Sequence, residues 1–520
     1  MAGRFTILSD TPRGILSREE RAEGSRVLSD LQLDRAFRTI CPDSIYREAF
    51  LNVLLTPLTD PDEIRERQRI LAVFREKPQL LERLIEEVRR LLLTKKSWDE
   101  ERSRLMHARH VNPQDKSLVL WVARENLVLT AHFLRIFLIE VREIHEILNM
   151  FGANEGWLGR LTEAAGRIGT GGGCETLLSY ADKIEKGLAN AHTYEIECDL
   201  NEELRANVPF LTDFAFVPVS KKPERTRRGW FGRLAKGPEA DPVSMLAPLV
   251  RQTPVEDVDL EWGQEAAARA VQESDRVLTQ FLRTLADRFT DLETELYFYQ
   301  CALIYIRRFE DRHVTFTFPE ILPEEENVLE IGELSDLLLL TESMSVLSVI
   351  PNDVSYATAG EGGVAGLLVT GKNSSGKTVY LRSIGGAVLL AQCGLPIPAK
   401  SARISVRRRI FTAFARAEGE LIPDASAGRF EEEVAQIAAI IRDMEPNSLL
   451  LLNETFQTTS YDEGADGMAP ILSYLASIGC GFIFVTHLTR LMERYRQEGG
   501  VRVMRTSDDP RTRYKIRELK

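Results

Sequence analysis

Apolar residues recur at the helical spacing through most of the first 190 residues of the chain. From residue 25 onward they fall three and four positions apart, which predicts amphipathic helices whose apolar faces pack together. One helix is predicted from Pro78 to about Leu93, followed by a polar stretch over residues 95–116. We therefore predict a helical lever or core domain over residues 25–189, preceded by a flexible lead-in over residues 1–24.

The strand period of two appears in a short region after residue 190. Polar and apolar residues alternate over 194–200, and residues 208–219 are also strand-like, with Pro209 and Pro218 restricting them to a sheet edge. Basic residues with interleaved aromatics follow; they are Lys221, Lys222, Arg225, Arg227, Arg228 and Arg233. Such a stretch suits either a nucleic-acid backbone or a solvated loop, and both interpretations stay open. We predict a small β-leaning insertion over residues 190–260.

Helical spacing returns over residues 261–313, without a proline. At 1.5 Å per residue, one helix of this length would span roughly 75 Å. The stretch is predicted to be either one long lever helix or two helices separated by a kink. Beyond residue 314, strand and helix patterns alternate to the end of the chain, which is typical of an α/β domain.

A short apolar strand pattern at 367–370 leads through a glycine-flanked loop into a helical pattern. The loop has the G-x-x-x-x-G-K-[ST] spacing of a phosphate-binding loop, and its residues are Gly371, Lys372, Asn373, Ser374, Ser375, Gly376, Lys377 and Thr378. Glycine lets the backbone approach a phosphate closely, and the exposed N–H groups face the anion. Lys377 is predicted to reach the β- and γ-phosphates and Thr378 to hold Mg²⁺. The sequence therefore predicts that the chain binds ATP and Mg²⁺.

Two later strand patterns end in residues suited to the same site. The first ends in Asn453-Glu454, where Glu454 takes the position of the general base and Asn453 that of a metal-holding aspartate. Because an amide carries no charge, we predict slow ATP hydrolysis. The second ends in His487, which is either a contact to the γ-phosphate or a polar strand cap.

A small-residue loop with Ser426, Gly428 and Arg429 opens a further helical pattern. It is either an ordinary capped helix start or a loop that reaches the ATP of a partner subunit, as in ABC-type dimers. The predicted fold class is thus an ABC-type α/β P-loop ATPase domain over residues 314–520. It follows a mostly α-helical lever/core domain with a small β-leaning insertion.

Charge, cysteine spacing and apolar run length restrict the classes of protein to which this chain can belong. The formal net charge of −12 argues against nucleic-acid binding over the whole surface, although a local basic groove remains compatible with it. Six widely spaced cysteines indicate neither a disulfide framework nor a zinc site. The chain shows no apolar run of membrane-spanning length and no secretory signal pattern, so we predict a cytoplasmic protein with no membrane partner.

The motifs together resemble those of the MutS family of ATPases. The stretches that carry the resemblance are Ile350 to Val354, Thr370 to Asn373, Gly376 to Arg382, Arg409 to Thr412, Asn453 to Thr459 and Val485 to His487. Upstream, Leu33-Asp34 and Pro57 to Asp60 resemble the opening of the family's lever domain. The resemblance implies a homodimer through the ATPase domain with two composite ATP sites, Asn352 among the nucleotide-binding residues, and a clamp over residues 190–260 that meets DNA.

Some features depart from the family pattern. The lever begins near residue 25, which leaves no room for the family's mismatch-reading and connector domains, so binding of duplex or branched DNA is expected without mismatch reading. Val349 stands where the family places an aromatic that stacks on adenine. A second hypothesis, motivated by Asn453 and the acidic balance, is a nucleotide-switched scaffold that binds ATP, barely hydrolyses it and recruits proteins rather than DNA.

Overall fold

The computed structural model of this chain describes residues 5–9, 16–111, 116–188, 193–200, 206–215, 260–357, 364–415, 426–456 and 461–519. Packing divides the chain into two compact units. We call Met1–Ile7 with Lys77–Leu296 the helical unit, and Leu8–Glu76 with Tyr297–Lys520 the sheet unit. The four N-terminal helices therefore fold with the C-terminal sheets.

The described elements follow the helical and strand patterns in chain order. The helices are α1 (Arg18–Asp30), α2 (Leu33–Ile40), α3 (Ser44–Leu54), α4 (Pro61–Glu76), α5 (Pro78–Val111), α6 (Lys116–Met150), α7 (Gly156–Gly169), α8 (Gly172–Gly187), α9 (Leu260–Asp287), α10 (Leu292–Glu310), α11 (Leu337–Glu342), α12 (Lys377–Gln392), α13 (Ser426–Asp443), α14 (Tyr461–Ser477) and α15 (Thr489–Glu498). The strands are β1 (Thr193–Leu200), β2 (Ala206–Ala215), β3 (Glu320–Leu322), β4 (Val328–Leu334), β5 (Asn352–Ala357), β6 (Gly366–Thr370), β7 (Ser401–Ser405), β8 (Ile410–Phe414), β9 (Leu449–Asn453), β10 (Gly481–Val485), β11 (Arg502–Thr506) and β12 (Ile516–Glu518).

In the helical unit, α6 packs against α5, α7, α8 and α9. Helix α5 extends to Val111, well beyond the end predicted near Leu93. Trp98 in the extension is fully buried, and Arg102 donates two hydrogen bonds of 2.8 and 2.6 Å to the Asp275 carboxylate of α9. These tertiary contacts stabilise a helix that the local polar composition did not predict, since packing routinely overrides propensity.

The helical pattern over residues 261–313 forms two helices, so the single lever helix is not observed. Helix α9 ends at Asp287 and α10 begins at Leu292. Phe289 in the intervening turn is fully buried, and its ring centroid lies 4.9 Å from that of Phe5. The break buries an aromatic side chain without a proline or glycine to mark it, so periodicity gave no sign of its position.

Within the predicted β-leaning insertion over residues 190–260, the described residues before α9 form two strands. Strands β1 and β2 pair antiparallel, with Thr193 opposite Ala215, and both run beside α9. Both strands were predicted, but β2 spans 206–215 rather than 208–219. The basic stretch over residues 221–233 lies outside the described residues, so its predicted contact with DNA stays a prediction.

Glu140 of α6 makes the stability of the helical unit depend on pH. Its side chain is buried, and one carboxyl oxygen accepts a 2.9 Å hydrogen bond from Thr94. Burial raises the pKa of Glu140 from 4.5 to about 7, against the opposing effects of Thr94 and Arg90. The folded state therefore binds a proton that the unfolded state releases, so the free energy of unfolding falls as pH rises from about 4.5 to about 7.

Replacing Glu140 by glutamine should stabilise the helical unit at pH 8 by about 1–3 kcal/mol, because the buried negative charge is removed. Hydrogen exchange of the α6 amides at pH 5 and pH 8 measures the effect. The matched control is Glu146→Gln, since Glu146 is an exposed glutamate of the same helix. An equal pH dependence in wild type and Glu140→Gln would contradict the prediction.

Residues 5–9 and 16–24, the part of the predicted flexible lead-in over residues 1–24 that the structure describes, are more ordered than predicted. Helix α1 begins at Arg18 with a capping box, in which Ser17 Oγ accepts from the Glu20 N–H at 3.1 Å and Glu20 accepts from the Ser17 N–H at 2.9 Å. Leu8 is buried, and its carbonyl accepts a 2.6 Å hydrogen bond from the Arg67 guanidinium. Local capping and burial thus order residues whose polar composition suggested a loose segment.

The sheet unit contains two sheets. The larger has the order β12-β11-β6-β10-β9-β8, with β11, β6, β10, β9 and β8 parallel and β12 antiparallel at one edge. The smaller has the order β3-β7-β4-β5. The apolar parallel strands β6, β9 and β10 of the larger sheet are buried, as expected for a sheet covered on both faces. The carboxyl ends of β6, β9 and β10 consequently meet along one edge of the larger sheet.

None of the helices among the described residues is both long and apolar enough to cross a membrane. This agrees with the absence of long apolar runs in the sequence.

Candidate nucleotide site

The predicted phosphate-binding loop joins β6 to α12, in the strand–loop–helix order that its spacing requires. Gly371 has φ 147° and Gly376 has φ 92°, both in the region that glycine favours. A Cβ on Gly371 would lie 1.9 Å from Thr506 Oγ1, so no larger residue fits there without rearrangement. The glycine positions of the motif are therefore required by the geometry of the loop.

Lys377 is folded into the loop that precedes it. Its ammonium donates to the carbonyls of Gly371 at 3.0 Å and Lys372 at 2.9 Å, and its side chain is 4% exposed. Burial lowers the pKa of Lys377, and the neighbouring Glu454 carboxylate opposes that shift. The lysine thus places a buried positive charge at the mouth of the loop.

Glu454 and His487 reach the same point from the neighbouring strands. Glu454 Oε1 lies 3.8 Å from Lys377 Nζ and 3.6 Å from His487 Nε2. The Glu454 backbone has φ 56°, and its N–H donates to the Val485 carbonyl at 2.8 Å, which fixes it to the end of β10. A left-handed backbone at a non-glycine residue is found mostly where surrounding contacts hold it, often in functional sites.

Thr378 and Asn453 form a second contact between the loop and β9. Thr378 Oγ1 donates to Asn453 Oδ1 at 3.0 Å, and the Asn453 residue is 8% exposed. Both groups offer neutral oxygen donors beside the loop, which is the ligand chemistry that Mg²⁺ prefers. The two residues predicted to hold the metal therefore lie together.

A cleft of about 620 Å³ runs along the loop. Its walls include Leu334, Asp336, Leu339, Ser343, Ser348, Val349, Ile350, Asn352, Asn373, Ser374, Ser375, Gly376, Lys377, Thr378, Glu454 and Tyr514. A volume of this size is in the range of small-molecule and cofactor sites. The cleft brings together the loop, the general-base candidate and the Val349 region.

The remaining loop residues contact the turn between β11 and β12. Ser375 Oγ accepts a 2.9 Å hydrogen bond from Thr506 Oγ1, and Lys372 forms an exposed 3.1 Å ion pair with Asp508. Ser374 has φ 57°, and Asn373 lines the cleft. This turn has no recognisable motif, so its contact with the loop could not be predicted from the sequence.

Asn352 is expected from the family resemblance to bind the nucleotide, but its side chain is already hydrogen-bonded to the backbone near β12. Its Nδ2 donates to the Tyr514 carbonyl at 3.1 Å, and its Oδ1 accepts from the Ile516 N–H at 2.8 Å. Asn352 therefore holds the backbone before β12 while it lines the cleft. Tyr514 also lines the cleft and was not predicted, because no sequence spacing relates it to the P-loop.

Ser426, Gly428 and Arg429 lie in the first turn of α13. Their side chains are outside the part of the chain that the structure describes, so their predicted contact with a partner's ATP stays a prediction.

Residues 367–516 match the family model of MutS domain V. The DNA mismatch repair protein MutS of Acetivibrio thermocellus is 31% identical over 186 residues, which is 35% of this chain and 20% of that protein. The MutS protein of Anaeromyxobacter dehalogenans is 35% identical over 160 residues, covering 29% of this chain and 18% of that protein. The probable mismatch repair protein Msh6 of Drosophila melanogaster is 32% identical over 149 residues, covering 29% of this chain and 12% of that protein.

The chain thus spans a fifth or less of the length of these three relatives. The family resemblance drawn from the motifs is confirmed over residues 367–516, and this matched segment contains the loop, Asn453, Glu454 and His487.

Proposed function

We propose that this chain, whose residues 367–516 match MutS domain V, is an ATPase that couples ATP binding and slow hydrolysis in a dimer to the binding of DNA. The observation that carries the proposal is that Lys377, Glu454 and His487 lie together at the P-loop. The Glu454 carboxylate lies within 4 Å of both the Lys377 ammonium and the His487 ring. These residues arrive from three different segments of the sequence. Their meeting beside the 620 Å³ cleft supports a site for a nucleoside triphosphate.

Each residue has a distinct role in this proposal. The N–H groups of residues 372–377 and the Lys377 ammonium bind the β- and γ-phosphates. Glu454 accepts the proton of the attacking water, and His487 donates a hydrogen bond to the γ-phosphate. The Glu454 and His487 side chains lie 3.6 Å apart, so both can reach the γ-phosphate end of the same triphosphate.

The oxygen donors of Thr378 and Asn453 fit Mg²⁺, Thr378 as a direct ligand and Asn453 through a bound water. When bound, the metal neutralises phosphate charge that develops during hydrolysis. Asn453 holds Thr378 Oγ1 at 3.0 Å and so orients it in the loop. With an amide in place of a carboxylate, the chain contributes no negative charge at this position, which supports slow turnover.

Asn453→Asp should lower the Mg²⁺ concentration required for half-maximal turnover about tenfold, since residues that orient metal ligands typically change metal affinity 10–100-fold. ATP turnover titrated with Mg²⁺ measures the change. In the presence of a chelator, the same variant should bind ATP more weakly than wild type, because the new carboxylate repels the phosphates. An unchanged Mg²⁺ dependence would contradict the assigned role of Asn453.

DNA is the proposed partner because the three relatives described above are DNA mismatch repair proteins. In this proposal, the first turn of α13 completes the ATP site of a second copy of the chain. The basic stretch Lys221 to Arg233 contacts the DNA backbone.

ATP turnover of the purified chain, with and without duplex and branched DNA at several salt concentrations, tests the proposal. We expect slow, Mg²⁺-dependent turnover that DNA changes, and a DNA affinity that falls steeply as salt rises, because phosphate contacts release counterions. A chain that binds no ATP would overturn the nucleotide assignment. ATP binding without DNA binding at low salt would support the nucleotide-switched scaffold instead.

A further inference from the structure

Tyr514 lies in the turn that precedes β12, with a left-handed backbone of φ 72°. This conformation is unfavourable for an aromatic L-residue, and it persists only where the surrounding structure imposes it. Tyr514 is nevertheless 38% exposed, so burial of its ring does not explain the conformation. The turn therefore holds a partly exposed aromatic ring in a fixed place on the cleft wall.

Hydrogen bonds that involve the backbone hold the turn that contains Tyr514. Asn352 donates to the Tyr514 carbonyl at 3.1 Å and accepts from the Ile516 N–H at 2.8 Å. The Lys515 ammonium also donates to the Pro351 carbonyl. Because Asn352 is buried, these hydrogen bonds fix the position of Tyr514 and leave its ring free to contact a ligand.

The ring faces the phosphate-binding loop. A Cβ placed on Gly376 would lie 3.3 Å from Tyr514 Cδ1, so the ring packs close to the glycine that begins α12. The Arg513 guanidinium lies 4.7 Å from the centroid of the ring, a cation–π distance that occupies one ring face. The ring therefore lies beside the phosphate-binding loop at the start of α12.

The cleft lining includes one other described aromatic residue, Tyr380, which is only 2% exposed and donates its hydroxyl to the Asp353 carbonyl at 2.9 Å, so its ring face is not open to a ligand. On the Val349 side its wall is aliphatic, with Val349 8% exposed and Ile350 38% exposed. A purine has a large apolar face that gains most from packing against an aromatic ring. Of the two described aromatic residues in the lining, Tyr514 is the exposed one.

We propose that Tyr514 forms the aromatic surface on which the purine base of the bound nucleotide packs, opposite the aliphatic wall of Val349 and Ile350. This inference rests on the proposed function of the site as a nucleotide site. It assigns base recognition to the turn after β11 rather than to the segment around Val349 that precedes β5. Asn352 is then a positioning residue, which holds the ring through the backbone.

The test compares ATP with inorganic tripolyphosphate, which lacks the base, by titration calorimetry on the full chain. Tyr514→Ala should weaken ATP binding about tenfold or more and leave tripolyphosphate binding unchanged, because only the base loses its contact. Tyr514→Phe should retain ATP affinity within about twofold, because the ring face is kept. The matched control is Tyr474→Ala, since Tyr474 is an exposed tyrosine of α14.

The outcomes separate this inference from the proposed function. If wild type binds ATP and Tyr514→Ala binds it equally well, the inference is overturned while the nucleotide site stands. An equal loss of ATP and tripolyphosphate binding would show a structural role for the turn in shaping the loop. A loss in Tyr514→Phe as large as in Tyr514→Ala would assign the effect to the hydroxyl and also overturn the inference. Wild-type chain that binds neither compound would overturn both proposals.

Discussion

Glu454→Gln is expected to reduce ATP turnover by about 10²–10⁴-fold, the usual contribution of a positioned general base. Glutamine keeps the shape of the side chain and its place between Lys377 and His487, where the carboxylate now lies 3.8 Å and 3.6 Å from the two partners. It cannot accept a proton from water. The loss should therefore appear in the rate of hydrolysis and not in the affinity for ATP.

Single-turnover hydrolysis and equilibrium ATP binding measure the two quantities separately. The ion pair with Lys377 is absent in Glu454→Gln, so thermal unfolding should be recorded to show that the loop stays folded. Glu493→Gln is the matched control, because Glu493 is an exposed glutamate of α15 that lines the other side of the loop. Turnover of Glu454→Gln within a few-fold of wild type would remove Glu454 from the catalytic role.

Lys377→Ala is expected to weaken ATP binding about a hundredfold, because hydrogen bonds to charged groups are each worth about 1.5–3 kcal/mol and the ammonium reaches two phosphates. In the present structure the ammonium instead donates to the carbonyls of Gly371 and Lys372. Those carbonyls hold it at the mouth of the loop, so little reorganisation is needed when phosphates arrive. Burial of the charge strengthens the interaction further.

Titration calorimetry with ATP measures the loss for Lys377→Ala. The control is Lys400→Ala, since Lys400 is an exposed lysine of the sheet unit that pairs with Glu333 at 2.9 Å. That exposed pair should contribute little to stability and nothing to nucleotide affinity. Intact ATP binding by folded Lys377→Ala would overturn the assignment of the P-loop as the phosphate site.

The helical unit shows where sequence patterns are insufficient. The continuous periodicity over residues 261–313 predicts the presence of helix but not the turn at 288–291, because that turn is made by burying Phe289 and carries no glycine or proline. The extension of α5 past Leu93 depends on Trp98 and Arg102, whose partners are remote in sequence. Periodicity reports which face of a segment is apolar, whereas its ends depend on what that face meets.

The candidate site also combines residues that local sequence patterns predict with a residue that they do not predict. Lys377 and Thr378 belong to a local motif, and Glu454 and His487 each follow an apolar strand, so all four could be predicted from short stretches of sequence. Tyr514 could not, because a tyrosine in a hairpin turn has no defining spacing. Its place beside Gly376 results from the pairing of β12 with β11 and from the hydrogen bonds of Asn352.

The sequence by itself determined the strand–loop–helix of the P-loop and the chemistry at the ends of β9 and β10, because these depend on contacts between residues close in the chain. Only the tertiary structure decided that α1–α4 fold with the sheets and that the turn before β12 forms a wall of the cleft. These features arise from hydrogen bonds and buried contacts between residues up to hundreds of positions apart. No local sequence pattern encodes such pairings. Each residue is compatible with its own helix, strand or turn, whichever distant residue it contacts after folding.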